Sequence, residues 1–62
     1  FKNTIIVVDA TSTSYFVDGS GHLHWIPSTS VYGCLSAIYP VRRGLLQEQA
    51  DSLGDGQPWA TC

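Results

Sequence analysis

From Thr4 to Val8 the chain reads Thr-Ile-Ile-Val-Val, a β-branched run with no polar break after its first residue. Such side chains suit a pleated surface, and the run predicts a buried strand. Asp9 to Ser14 is entirely small or polar and predicts a loop. Tyr15-Phe16-Val17 restores strand chemistry, and Asp18-Gly19-Ser20-Gly21 is a strong turn signal. His22-Leu23-His24-Trp25-Ile26 then alternates, so residues 14–26 are expected to form a β-hairpin that ends at Pro27, which cannot donate to a ladder.

After Pro27 the period lengthens. Ser28 or Ser30 can cap a helix whose apolar stripe is Val31, Cys34, Leu35 and Ile38, at i, i+3, i+4 and i+7. Gly33 weakens that helix by about 1 kcal/mol relative to alanine, so the helix is short or admits a close neighbour there. Pro40 ends it, and Val41-Arg42 suggests a brief extended segment. Leu46, Ala50 and Leu53 mark one face of a second short helix, with Gly54 placed to follow its end in the left-handed region. Asp55-Gly56-Gln57-Pro58 reads as a turn that brings Trp59 to Cys62 back onto the body. The order β-β-β-α-(β)-α predicts an α+β fold, a small three-stranded antiparallel sheet with two short helices.

Length makes this a single small domain over residues 1–62. A chain of that size buries only about 60% of its unfolded surface, so the core is thin. At 44% apolar and 13% charged residues it is too apolar for a disordered tail. Net charge is −2, with Lys2, Arg42 and Arg43 as the fixed cations, which argues against nucleic acid as a partner. The longest apolar run, Ile5 to Val8, is far too short for membrane insertion as a helix.

Two cysteines, Cys34 and Cys62, change the picture of stability. A disulfide between them closes a loop of nearly half the chain and contributes roughly 3–4 kcal/mol on the chain-entropy account. The rival readings are two free thiols or half a metal site, but neither cysteine has a neighbour at metal-ligand spacing. A disulfide implies an oxidising compartment, so the protein is expected to be secreted or on the cell surface. A start at Phe1 rather than Met suggests a processed mature chain or an excised domain.

Catalytic chemistry finds little support. His22 and His24, two apart on a strand, share one face, yet they supply only two local metal ligands. No serine lies in a Gly-x-Ser-x-Gly turn, Glu48 and Asp51 look like one exposed helix face, and so short a chain has little room for a pocket. Arg42-Arg43 could dock an anionic polymer such as teichoic acid or be a solvated turn. The aromatic set is more informative: Phe1, Tyr15, Phe16, Trp25, Tyr32, Tyr39 and Trp59. Along the third strand Leu23 and Trp25 share one face while His22, His24 and Ile26 share the other. If Ile26 points inward, Trp25 is exposed beside Tyr15 or Tyr32 as a stacking platform for a sugar or a protein hot spot. The alternation leaves this open, and the size of tryptophan favours Trp25 in the core. Trp59 is expected to plug the core. The ligand-binding set is then Trp25, Tyr15, Tyr32 and His24, with no metal, cofactor or catalytic residue expected.

Tyr15-Phe16-Val17-Asp18-Gly19 through His24-Trp25-Ile26-Pro27-Ser28 resembles a small repeat-like module of secreted and cell-surface bacterial proteins, actinobacterial ones especially. In that module a Trp-Ile-Pro hairpin leads into a short helix, a connector, and a second short helix with a glycine turn. Val31-Tyr32-Gly33-Cys34-Leu35 falls on the first helix, Gln49 to Gly56 on the second and its turn, and Trp59 to Cys62 on the closing segment. The likeness spans about residues 13–62; where the module starts its second helix with a Ser or Thr cap, this chain has Arg43-Gly44-Leu45. It implies the fold and an extracellular place; with the aromatic set and the absence of catalytic and metal motifs, the expectation is a non-catalytic attachment module, the leading ligand being a cell-wall polymer or other glycan. The alternative is a secreted protein–protein interaction unit, an inhibitor or a subunit of an extracellular assembly, because a stapled mini-domain presents its loops rigidly.

Overall fold

The computed structural model describes residues 1–62, the side chains of Gly54 and Asp55 excepted. Strand β1 (Thr4–Val8) has all five residues buried. An alternating strand can bury both its faces only if something covers each side of the sheet. Here β2 (Thr13–Val17) pairs with it antiparallel, Ile5 opposite Phe16 and Ile6 opposite Tyr15. Strand β3 (His22–Trp25) continues the hairpin, with Tyr15 opposite Trp25 and Phe16 opposite His24. Two short strands complete the sheet: β4 (Val41–Arg42) runs parallel to β1, and β5 (Gly54–Asp55) runs parallel to β3. The order is β4-β1-β2-β3-β5.

The expected α+β class and two short helices are present, but the sheet is mixed and five-stranded rather than three-stranded and antiparallel. The three antiparallel strands form its centre. The additions are two residues each, too short to carry a periodic signal. They also cover the outer edges of β1 and β3, which would otherwise present unpaired backbone to other chains. Gly54, expected just past a helix in the left-handed region, instead opens β5, and Asp55 of the expected turn pairs beside Leu23.

Helix α1 (Thr29–Ser36) starts at Ser28, whose Oγ accepts the Val31 N–H at 3.2 Å. Of its expected stripe only Val31 and Leu35 are buried. Ile38 lies beyond the helix and is 64% exposed, and Cys34 faces outward, where it meets Cys62 in the disulfide. Gly33 has nothing within 4 Å of where a Cβ would stand, so no close neighbour explains it. Helix α2 (Gln47–Asp51) has no hydroxyl cap; the Gln49 side chain reaches back and accepts the Leu46 N–H at 2.8 Å. Gly44, at φ +76°, makes the bend before it.

The core is two clusters, one on each face of the sheet. Ile6, Val8, Val17 and Leu23 meet Leu45 and the α2 residue Ala50. On the other face Ile5, Phe16 and Ile26 meet Val31 and Leu35 of α1, with Tyr39, Val41 and Trp59 closing the margin. Burial of each such aliphatic side chain contributes about 1.5–3 kcal/mol against exposure. The disulfide Cys34–Cys62 spans a Cα separation of 6.1 Å and ties the closing segment to α1. Among the described residues no helix is long and apolar enough to cross a membrane.

Candidate functional site

The hairpin end opposite the Asp18 turn carries an open groove of about 540 Å³. Its floor and walls come from the end of β1 (Val7, Asp9), the start of β2 (Ser12, Thr13, Ser14), the end of β3 with Trp25, Ile26 and Pro27, and the start of α1 with Ser28, Thr29 and Tyr32. At its margin Arg43 donates from Nη2 to Asp9 Oδ1 at 3.0 Å, and Asp9 Oδ2 accepts the Gly44 N–H at 2.7 Å. Both side chains of that ion pair are well exposed, so it contributes about 0–1 kcal/mol. Ser28 is engaged as the α1 cap and Thr13 donates to the Thr11 carbonyl.

Trp25 is 50% exposed at this groove, while Ile26 is buried. The expectation that its size would carry Trp25 into the core is therefore corrected. Both faces of β3 are packed: the α1-side cluster takes Ile26, and the α2-side cluster takes Leu23 and, from the neighbouring strand, Tyr15, but not Trp25. Tyr32, half-buried against the α1-side cluster, shares the groove with Trp25. Tyr15 stands directly across the strands from Trp25 but packs into the α2-side cluster, with its hydroxyl accepting from Gln47 Nε2 at 3.5 Å.

His24 goes elsewhere. It shares a sheet face with His22 as expected, but only His22 meets solvent. The His24 ring is nearly buried between Phe16 and Trp59, its centroid 4.9 Å from that of Trp59. Its Nδ1 lies 2.7 Å from the Gln57 carbonyl oxygen and its Nε2 lies 2.7 Å from Asp18 Oδ2. Asp18 Oδ1 also accepts the Ser20 and His22 backbone N–H groups, which shapes the turn. The His24 bond, then the backbone donors, lower the Asp18 carboxyl to about 2 against a small opposing effect of burial. Burial disfavours the charged His24 ring, but its bonds to Asp18 and Gln57 outweigh that and raise its pKa. Both ring nitrogens are thus occupied within the protein, so His24 does not stand with Trp25 and Tyr32 as a free ligand contact. Among the described residues no three potential metal ligands converge.

Trp59 packs over Phe16 at a centroid distance of 4.9 Å, as a plug on the α1-side cluster. The Asp18–His24–Gln57 chain was not legible from spacing. An Asp followed by His at the fourth and sixth positions is visible in the sequence, but the partner carbonyl comes from a residue 33 positions later. No protein-family model matches the chain, and no curated protein or solved structure matches it significantly.

Proposed function

We propose that this protein is a non-catalytic extracellular binding or attachment module whose groove takes a glycan, a cell-wall polymer being the leading case. The observation that carries the reading is the half-exposed Trp25 at the mouth of a groove it shares with Tyr32 and a row of small hydroxyl residues. An aromatic face offers a sugar ring its apolar side, and hydroxyls beside it match the ring's own hydroxyls. The disulfide in so small a domain and the likeness to secreted bacterial modules support the compartment. In this reading Trp25 and Tyr32 hold the ligand, Tyr15 backs the strand beneath Trp25, and His24 serves the fold.

Titration with soluble oligosaccharides and peptidoglycan fragments, followed by amide chemical shifts, tests it. Shifts are expected at Trp25, Ser14, Thr29 and Tyr32 and are lost in Trp25→Ala. Absence of shifts with every glycan class would overturn the reading. A protein–protein unit is the second reading, favoured by the exposed side chains of Phe1, Ile38 and Leu46 in addition to Trp25. It predicts co-purification with a secreted protein, or self-association in light scattering.

A further inference from the structure

The segment Gly56–Cys62 lies along the outer edge of β3 and closes the α1 side of the molecule. Its Gly56 N–H donates to the Leu23 carbonyl at 2.7 Å and its Trp59 N–H to the Trp25 carbonyl at 2.8 Å. Trp59 covers Phe16, and Cys62 is bonded to Cys34. Between these anchors the segment is gripped by one side chain, His24, through the Gln57 carbonyl. The fit is tight: a Cβ at position 56 would overlap the His24 ring.

We infer that this segment is a pH-sensitive strap, which His24 clasps when its ring carries both protons and releases over Phe16 when one is lost. The argument is one of donors and acceptors. A carbonyl oxygen and a carboxylate oxygen both only accept, and each stands 2.7 Å from a ring nitrogen. Both bonds exist together only if both nitrogens bear hydrogen, which is the imidazolium. A neutral ring keeps one. The carboxylate is the stronger acceptor, so the remaining hydrogen stays on Nε2 toward Asp18. Nδ1 then turns a lone pair toward the Gln57 oxygen, and the contact becomes repulsive.

Among the described residues the ionisable groups facing the ring are Asp18, bonded to it, and His22, exposed, with its Nδ1 3.9 Å from the same Asp18 oxygen. Phe16 and Trp59, which flank the ring, are uncharged. The raised pKa of His24 agrees with the closed state's preference for the imidazolium. A further feature favours release: the Trp59 indole Nε1 is buried in the closed strap without a hydrogen-bond partner, and opening lets water satisfy it. The disulfide keeps an opened strap tethered to α1, so closure is intramolecular and reversible.

The readout needs no ligand and stands apart from the glycan reading. Amide hydrogen exchange of the oxidised protein is followed by NMR from about pH 5 to about pH 9, corrected for intrinsic rates, with the His24 ring titrated in parallel. Protection of the Trp59 amide is expected to fall about tenfold or more as His24 loses its proton and to stay below that of the β1 amides throughout. His24→Gln should make the Trp59 profile independent of pH. Asp18→Asn, whose amide can donate to Nε2 and so lets a neutral ring hold Gln57 through Nδ1–H, should abolish the loss of Trp59 protection and serves if His24→Gln does not fold. Constant Trp59 protection across the range, or an unchanged transition in either variant, would overturn the proposal.

Discussion

The Cys34–Cys62 bond should be the largest single contribution to stability that one chemical step can remove. The cysteines are 28 positions apart, and the loop-closure expression gives roughly 12 cal/mol/K for such a loop, or roughly 3.6 kcal/mol at 25 °C. A chain of 62 residues at ordinary stability per residue has only about 3–9 kcal/mol in total. Unfolding entropy scaled to the same length, about 130 cal/mol/K, converts the loss into a fall in Tm of roughly 25–30 °C. The effect should be global rather than a frayed end. The bond holds down the segment carrying Trp59, and Trp59 covers Phe16 at the centre of the α1-side cluster. The assay is thermal melting by far-UV circular dichroism of the oxidised protein, the protein under excess reductant, and Cys34→Ser/Cys62→Ser. A fall of less than about 8 °C, equivalent to about 1 kcal/mol, would refute the loop-entropy reasoning for this chain.

Other outcomes are accessible by the same melts. Gly33→Ala should stabilise by about 1 kcal/mol, because a helix-interior glycine with open space around its missing Cβ gains propensity without a clash. Gly56→Ala should destabilise by about 1–3 kcal/mol, since the new methyl overlaps the His24 ring, which is held at both nitrogens. Stability against pH should show a plateau between roughly pH 4 and 6.5. The Asp18 contribution is present above its ordinary 3.8 and is lost as pH falls toward about 2. The His24 contribution is complete below its ordinary 6.5 and is lost as pH rises through its raised folded-state value. A Tm that climbs steadily from about pH 5 to about pH 8 would contradict that sign.

The strands and helix cap that could be read in advance were those written in consecutive residues. Thr4–Val8 and the hairpin around Asp18 depend on local chemistry and stand where the pattern places them, and of the two candidate caps, Ser28 and Ser30, it is Ser28 that caps α1. What could not be read depended on distant cover. Strand alternation puts Leu23 with Trp25 and His24 with Ile26, and that division is observed, but alternation alone implies one face inside and the other outside. Because α1 and α2 cover opposite faces, Leu23 and Ile26 are both buried. Trp25 lies beside Tyr15 yet outside the cluster packed under α2, and α2 is capped from Gln49 with no hydroxyl residue at its start, so neither is marked by a local signal. The role of Gly56 depends on a ring 32 positions earlier in the chain, so no window of sequence contains it.

Trp25 and Trp59 bring the two halves of the reading into one comparison. Both are on or beside β3, and the backbone of one bonds the backbone of the other. Yet Trp59 is set among Phe16, His24 and the α1-side cluster, whereas Trp25, one of the residues lining the groove, is 50% exposed. An exposed half-tryptophan leaves on the order of 100 Å² unburied, forgoing about 2–3 kcal/mol of apolar transfer energy in a domain that has little to spare. The core therefore does not account for that half of the side chain. On the proposed reading a bound sugar ring covers it, and the two tryptophans should separate under mutation. Trp59→Ala should lower Tm steeply and expose Phe16. Trp25→Ser should cost no more than about 3 kcal/mol, set by its buried half alone, and should abolish glycan-induced shifts in a protein that still melts cooperatively. Equal destabilisation by the two substitutions would place Trp25 in the fold's service and remove the groove's claim on it.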